Sequence, residues 1–429
     1  MKQVLSLLLF INSVFVFSQD KTMVIDTVSD GGCKEALYSQ YQKKFELLNK
    51  NYVYANSSEK NIIKEINSKA QVGFLETISN NEFLCDAAML TYLKGLFDEI
   101  LDKNKIGGDT FKILLSKDSE VNAYNFGEGT VVVNFGLFLS LENEDELVFV
   151  LSHEIGHQYL NHVKKNIEEY AKLSTSKDII NKTKEIEKQK YKKASVANDL
   201  LKNIVYQNYA KRRKKEIEAD SIGLLFYKKT FRNPKAGIRL LEKLDISDEE
   251  KDSLTIADYR GIFDENVFKV KEKYFQEEES LFKKYDSEKR INTDSLKSHP
   301  ACSTRIQLIK KYENNKFDNE NFARSSTFDA IKKNSVCQNL LNLYSEKQYG
   351  ICLYETLKLY KNDKENQFYK TMIRQNLLEI QKARTNYTIN RYVPSYDNKN
   401  NTASLNRFAS FVNNIKMSDF DILLTNFKP

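Results

Sequence analysis

Residues 153–157 read HEIGH, and the helix that must carry them decides the fold. The chain has four histidines among 429 residues, and three of them, His153, His157 and His162, fall within ten positions; His299 stands apart. On an α-helix, positions i and i+4 differ by about 40° around the axis, so His153 and His157 point the same way. Two imidazoles on one face bind one Zn²⁺ at N–Zn distances of about 2.0–2.1 Å. Glu154, beside the first of them, is placed to act as a base on a water at that metal without ligating it. The helix is well specified locally. Asn143 caps it, Glu146 three residues on completes a capping box, and Leu147, Val148, Val150, Leu151 and Ile155 form its apolar face.

Zinc held by two histidines is short of ligands, and one remaining position belongs to water. Residues 216–220 read EIEAD. Glu216 and Asp220 share a helix face, whereas Glu218 lies about 200° around from Glu216. Glu216 can supply the third ligand, with Glu218 the less favoured alternative. Asp220, on the same face as Glu216, can accept a hydrogen bond from the second N–H of a ligating imidazole and so fix its tautomer.

With those two blocks in view, the chain resembles the M48 metallopeptidases, zinc endopeptidases of the gluzincin type, over roughly residues 110–310. HEIGHQYLNH (153–162) is similar to the family's zinc helix, and EIEAD (216–220) to its ExxAD block, whose first glutamate is a zinc ligand. NAYNFGEGTVVVNFGL (122–137) resembles the stretch preceding the zinc helix, with Gly127 and Glu128 where the family usually has Pro-Gly. SHPACSTRI (298–306) resembles its C-terminal HPxxxxRI block. The resemblance implies an α+β, predominantly α-helical fold: a zincin-like core with a small β-sheet, flanked by helical N- and C-terminal segments. It implies a metalloendopeptidase with one Zn²⁺ per chain held by His153, His157 and Glu216, and with Glu154 as general base. Asp220 and His162 support the ligands, His162 from a different side of the zinc helix. Arg305 is a candidate to stabilise developing negative charge, the alternative being an ion pair that anchors its helix. Asn122, Ala123, Val131 and Val133 are assigned to substrate binding, with the strand at Thr130–Val133 as an edge on which a polypeptide backbone pairs. His299, before Pro300, stands where a histidine holds some soluble relatives inactive. It is a candidate fourth ligand that closes the site.

The rest of the sequence sets the context. Lys2 and the apolar run Val4–Phe17 read as a signal peptide, residues 1–18, cleaved before Gln19; the run is too short to span a bilayer. No later run is long enough either, so the expected location is periplasmic or secreted, without a transmembrane anchor. Lys and Arg exceed Asp and Glu by 66 − 59 = 7, an excess spread along the chain that argues against a nucleic-acid partner. Export permits disulfides among the five cysteines; Cys33–Cys85 and Cys337–Cys352 are the expected pairs, with Cys302 free. Helical periodicity marks 19–105 as an N-terminal helical segment. Residues 106–320 form the peptidase domain, in which Phe111–Leu115 and Thr130–Val133 read as strands and 163–215 as long, solvated helices. Residues 321–429 read as tetratricopeptide-like helical hairpins that offer a surface to a protein partner. The expected substrates are polypeptides, misfolded envelope proteins among them. The rival expectation is a chaperone-like binding module with a vestigial or self-inhibited zinc site, and chelator-sensitive casein cleavage separates the two.

Overall fold

The computed structural model describes residues 31–107, 111–188, 193–245, 254–276, 302–313, 321–397 and 401–427. The expected signal peptide and His299 lie outside these residues. Helices α1 (Gly31–Asn51) and α2 (Ser57–Ser79) precede strand β1 (Phe83–Leu84) and helix α3 (Ala87–Asn104). Strands β2 (Lys112–Ser116), β3 (Ala123–Gly127) and β4 (Thr130–Asn134) follow. A helical stretch then runs through α4 (Leu137–Ser140), α5 (Glu144–Tyr159), α6 (His162–Ser174), α7 (Lys177–Lys188), α8 (Lys193–Lys228) and α9 (Lys235–Asp245). Beyond it lie α10 (Ile256–Ile262), α11 (Cys302–Glu313), α12 (Ser326–Ser345), α13 (Tyr349–Tyr360), α14 (Gln367–Thr385), α15 (Ala403–Asn414) and α16 (Met417–Asn426). The architecture is α+β and predominantly helical, as the sequence implies.

The sheet order is β1-β2-β4-β3, with β2 and β4 parallel and the other pairs antiparallel. This corrects the edge-strand expectation for Thr130–Val133. That segment is β4, an interior strand whose five residues are all buried. Val131 and Val133 face the core formed with α3 and α5, while Val132 and Leu114 face Tyr41, Phe45 and Phe74 of the α1–α2 pair. A strand covered on both faces reads as an apolar run, as the three valines of TVVVN do. The edge strands are β1 and β3, and pattern reading missed β3. Phe83, inside the segment 19–105 expected to be helical, instead opens β1. The β3–β4 turn holds without proline: Glu128 and Gly129 both take positive φ, 51° and 79°, the pairing that a two-residue hairpin of this twist requires.

A disulfide joins Cys33 in α1 to Cys85 before α3 across 52 residues. The expected Cys337–Cys352 pair does not form, and both remain thiols. Cys352 is buried, donates to Leu340 O at 3.2 Å and accepts from Asn376 Nδ2 at 3.1 Å. A bridge closing a loop of that length stabilises by on the order of 3–4 kcal/mol in the chain-entropy account. Replacing Cys33 and Cys85 together by serine should lower the denaturation midpoint accordingly, whereas Cys302→Ser should leave it nearly unchanged. Equal midpoints for the double variant and wild type in denaturant melts would reject the first expectation.

The C-terminal helices bury a separate core that includes Leu353, Leu357, Ile373, Phe408 and Phe411, and it takes in Leu254, Tyr259 and Phe263 from α10 and its flanks. Hydrogen bonds from Tyr274 to Asp419 (2.9 Å) and from the Leu254 amide to Ser404 (2.7 Å) tie this excursion down. Residues 254–276 thus pack with the C-terminal helices although they belong in sequence to the middle of the chain. In the other direction, α3 packs into the central core against β4 and α5.

Candidate metal centre

The first turn of α5 is fixed from several sides. Asn143 Oδ1 accepts from the Glu146 amide at 2.9 Å, so the predicted cap forms. The predicted capping box is shifted by one residue, because the Glu146 carboxylate accepts from the Glu142 amide instead of that of Asn143. Glu146 also receives Lys243 at 2.8 Å, and Arg232 bridges Asp145 (3.0 Å) and Glu99 (2.8 Å). Acidic side chains at this end also suit the helix dipole. Two turns further along, Ser152, His153 and Glu154 are buried.

Helix α8 crosses α5 at close range because glycine meets backbone. A Cβ on Gly223 would fall 2.9 Å from both His153 Cα and Ser152 O, and one on Gly156 would fall 2.9 Å from Ala219 O. This crossing brings Glu216 and Asp220 up to the two histidines. Neither glycine was singled out from sequence, although Gly156 lies inside HEIGH; the demand for it comes from a helix some 60 residues away. Gly223→Ala should therefore cost about 1–3 kcal/mol of stability through overpacking and weaken metal binding by tilting α8. Gly95→Ala, at an exposed position of α3 with nothing within 4 Å of the added carbon, should stabilise by about 0.5–1 kcal/mol. Thermal melts with and without metal check both, and a fully stable, metal-tight Gly223→Ala would refute the close-crossing account.

His153 Nε2 and His157 Nε2 lie 3.0 Å apart. The Glu216 carboxylate reaches them at 3.5 and 3.4 Å. Four ligands about 2.05 Å from a tetrahedral zinc stand about 3.3 Å from one another, so these three side chains have the dimensions of one face of that tetrahedron. Among the described residues, they are the one group of His, Cys, Asp or Glu side chains gathered tightly enough to hold a metal ion. The electrostatics agree. Burial pushes the His153 imidazole down, but hydrogen bonding to Asp220 and Glu216 outweighs it and raises its pKa to about 10. The carboxylates around His153 thus favour positive charge at its nitrogens, and a divalent cation meets that demand as a proton does.

Asp220 and Arg305 stand behind His153. Its Nδ1 lies 2.9 Å from Asp220 Oδ1. Arg305, on α11, donates Nε and Nη2 to the same carboxylate at 2.8 and 2.7 Å. Burial would raise the Asp220 carboxyl, yet His153 and Arg305 hold it at about 2. The Arg305 fork thus faces Asp220, and Arg305 is absent from the lining of the cleft in front of the histidines. The ion-pair alternative describes its position better than the oxyanion one.

His162 does not continue the zinc helix. Helix α5 ends at Tyr159, and Asn161 takes φ 55°, which turns the chain and starts α6 at His162. The turn folds His162 back onto His157, Nδ1 to Nδ1 at 3.0 Å, with Glu218 3.3 Å from its Nε2. Burial and the neighbouring His157 push its pKa down to about 4, so a neutral ring faces His157.

In front lies a cleft of about 260 Å³, lined by Glu154, the three converging side chains and the start of β3. Glu154 Oε1 is 4.0 Å from His153 Nε2, and its backbone carbonyl accepts from Asn125 Nδ2 at 3.2 Å, which holds β3 beside α5. Asn122 and Ala123 line this cleft; Val131 and Val133, with no exposed surface, do not. Sequence reading missed Asn125, Arg212 and Lys215, which also line it. Lys215 is held by Asn166 (2.6 Å) and Glu169 (2.9 Å).

The chain is similar to the beta-barrel assembly-enhancing protease of Yersinia pestis, at 30% identity over 89 residues, 21% of this chain and 18% of that protein. It is similar to the metalloprotease YcaL of Escherichia coli (strain K12) at 29% over 126 residues, 29% of this chain and 48% of that one. The matches thus span less than half the length of either relative. The model of peptidase family M48 matches residues 88–313, more than half of the chain and with HEIGH, EIEAD and Arg305 inside it, so the chain belongs to peptidase family M48.

Proposed function

We propose that this chain is an exported zinc endopeptidase acting on polypeptides of the cell envelope. The converging triangle of His153, His157 and Glu216, with Glu154 beside it and a strand edge in front, carries the reading. A divalent cation bound there supplies a Lewis acid that makes water nucleophilic near neutral pH and polarises a peptide carbonyl. The protein's own groups do the rest. Asp220, kept ionised by Arg305, holds the His153 Nδ1–H and aims Nε2 at the triangle. Glu154 takes the proton of the attacking water and returns it to the leaving amine. The open edge of β3 offers backbone groups to an extended substrate, giving binding with little demand on sequence. Relatives named for barrel assembly support an envelope setting and misfolded envelope proteins as substrates, with the C-terminal helices as the surface for a protein partner. Among the described residues, no helix is long and apolar enough to cross a membrane.

The test is metal content together with casein cleavage by the purified protein. About one zinc per chain is expected, with cleavage abolished by a chelator and restored by zinc. Binding of unfolded casein without cleavage would favour the chaperone-like reading instead.

A further inference from the structure

A second concavity opens next to the metal cleft. It is a groove of about 300 Å³ lined by Leu48 of α1, Tyr52 just after it, Ala70 of α2, Phe126 of β3 and Val163 and Ile167 of α6. Three of these residues precede the segment matched by the family, residues 88–313, so the α1–α2 pair adds a wall that the family segment does not supply. The wall is anchored. Tyr52 donates its hydroxyl to Glu168 at 3.1 Å, and the Cys33–Cys85 bridge ties α1 to the chain before α3.

The groove is continuous with the cleft. Residues 122–125 line the cleft and residues 126–128 the groove, so one strand edge runs past both. Val163 lines both and stands as a low ridge between them. It comes that close because Gly127, at φ 102°, has no side chain; a Cβ there would fall 3.1 Å from Val163 Cγ1. The rim is made largely of amides, with Asn49 and Gln71 paired to each other at 2.8 and 3.1 Å. An apolar floor with an amide rim suits a peptide that buries one side chain and leaves its backbone polar groups at the surface.

We propose that this groove receives a large apolar side chain, of the Leu, Met, Phe or Tyr kind, from the polypeptide being cleaved. This rests on the endopeptidase reading and names the substrate class of the same site. A strand advances about 3.3 Å per residue, so a chain extended along β3 reaches the groove two to four residues from the bond at the metal.

The experiment is cleavage of a peptide library randomised over the four positions on each side of a scissile bond, read by mass spectrometry. At one position two to four residues from that bond, large apolar residues should exceed serine in kcat/KM by about 10- to 100-fold, the worth of burying one such side chain. Ala70→Trp, at an exposed position of α2 that lines the groove, should collapse that ratio to near unity. Val72→Trp, exposed on the same helix but outside the groove, should keep it. The two levels of failure are distinct. A wild type that cleaves in a Glu154-dependent manner but lacks this preference, or an Ala70→Trp enzyme that retains it, overturns the groove assignment alone. A wild type that cleaves no library member overturns the endopeptidase reading and the groove with it.

Discussion

Glu154→Gln should bind metal as wild type does and cleave protein about 10²–10⁴-fold more slowly, the usual worth of a positioned general base. The substitution isolates basicity. The amide is nearly the same size as the carboxylate, so the buried side chain keeps its packing. The backbone carbonyl that holds Asn125 is untouched, and so are His153, His157 and Glu216. The residue also stands off from the triangle, with Oε1 4.0 Å from His153 Nε2, beyond the spacing of two ligands on one zinc. Glutamine still accepts a hydrogen bond and can orient a water, but it cannot take the proton. A variant that kept its metal and cleaved at the wild-type rate would remove Glu154 from the chemistry. One that lost its metal would make Glu154 a ligand. Zinc content and casein cleavage, measured on one preparation, separate these outcomes.

What was legible in the sequence was local. HEIGH and EIEAD each place their side chains by helical spacing within one turn, and the structure brings the two blocks together. What was not legible depends on partners distant in the chain. The run TVVVN suggested an edge strand, because nothing nearby says that α1 and α2 return to cover the second face of β4. Strand β3 escaped because AYNFG offers weak alternation and bulges between Asn125 and Gly127. His162 belonged on another side of a continuous helix until Asn161, in a left-handed conformation, broke that helix and folded the imidazole back. Gly223 has no local signal at all; its need arises only where α8 meets the backbone of His153. The expected Cys337–Cys352 bridge depended on spatial neighbours that spacing does not show, and the Cys352 thiol serves Leu340 and Asn376 in a buried site.

Glu216→Ala should lose the metal, and Glu218→Ala should keep it. The two carboxylates lie two residues apart on α8 and point to different sides of it. The Glu216 oxygens stand 3.5 and 3.4 Å from the two converging imidazole nitrogens, and its side chain is 13% exposed. Glu218 is 45% exposed, 3.3 Å from His162 Nε2 and 4.0 Å from Lys214. Groups that only support a ligand cost about 10–100-fold in metal affinity when removed, so loss of a ligand itself should exceed about 100-fold and abolish cleavage. Glu218 acts on the triangle only through His162 and then His157, and its exposed pairing is worth less than about 1 kcal/mol. Its removal should therefore shift zinc affinity by no more than roughly fivefold. Competition titrations against a chromophoric chelator resolve that gap. The opposite ranking would mean that α8 presents its other face to the metal, which the Gly223 crossing forbids: turning Glu218 inward would carry Gly223 off the backbone of His153 and drive a side chain into its place.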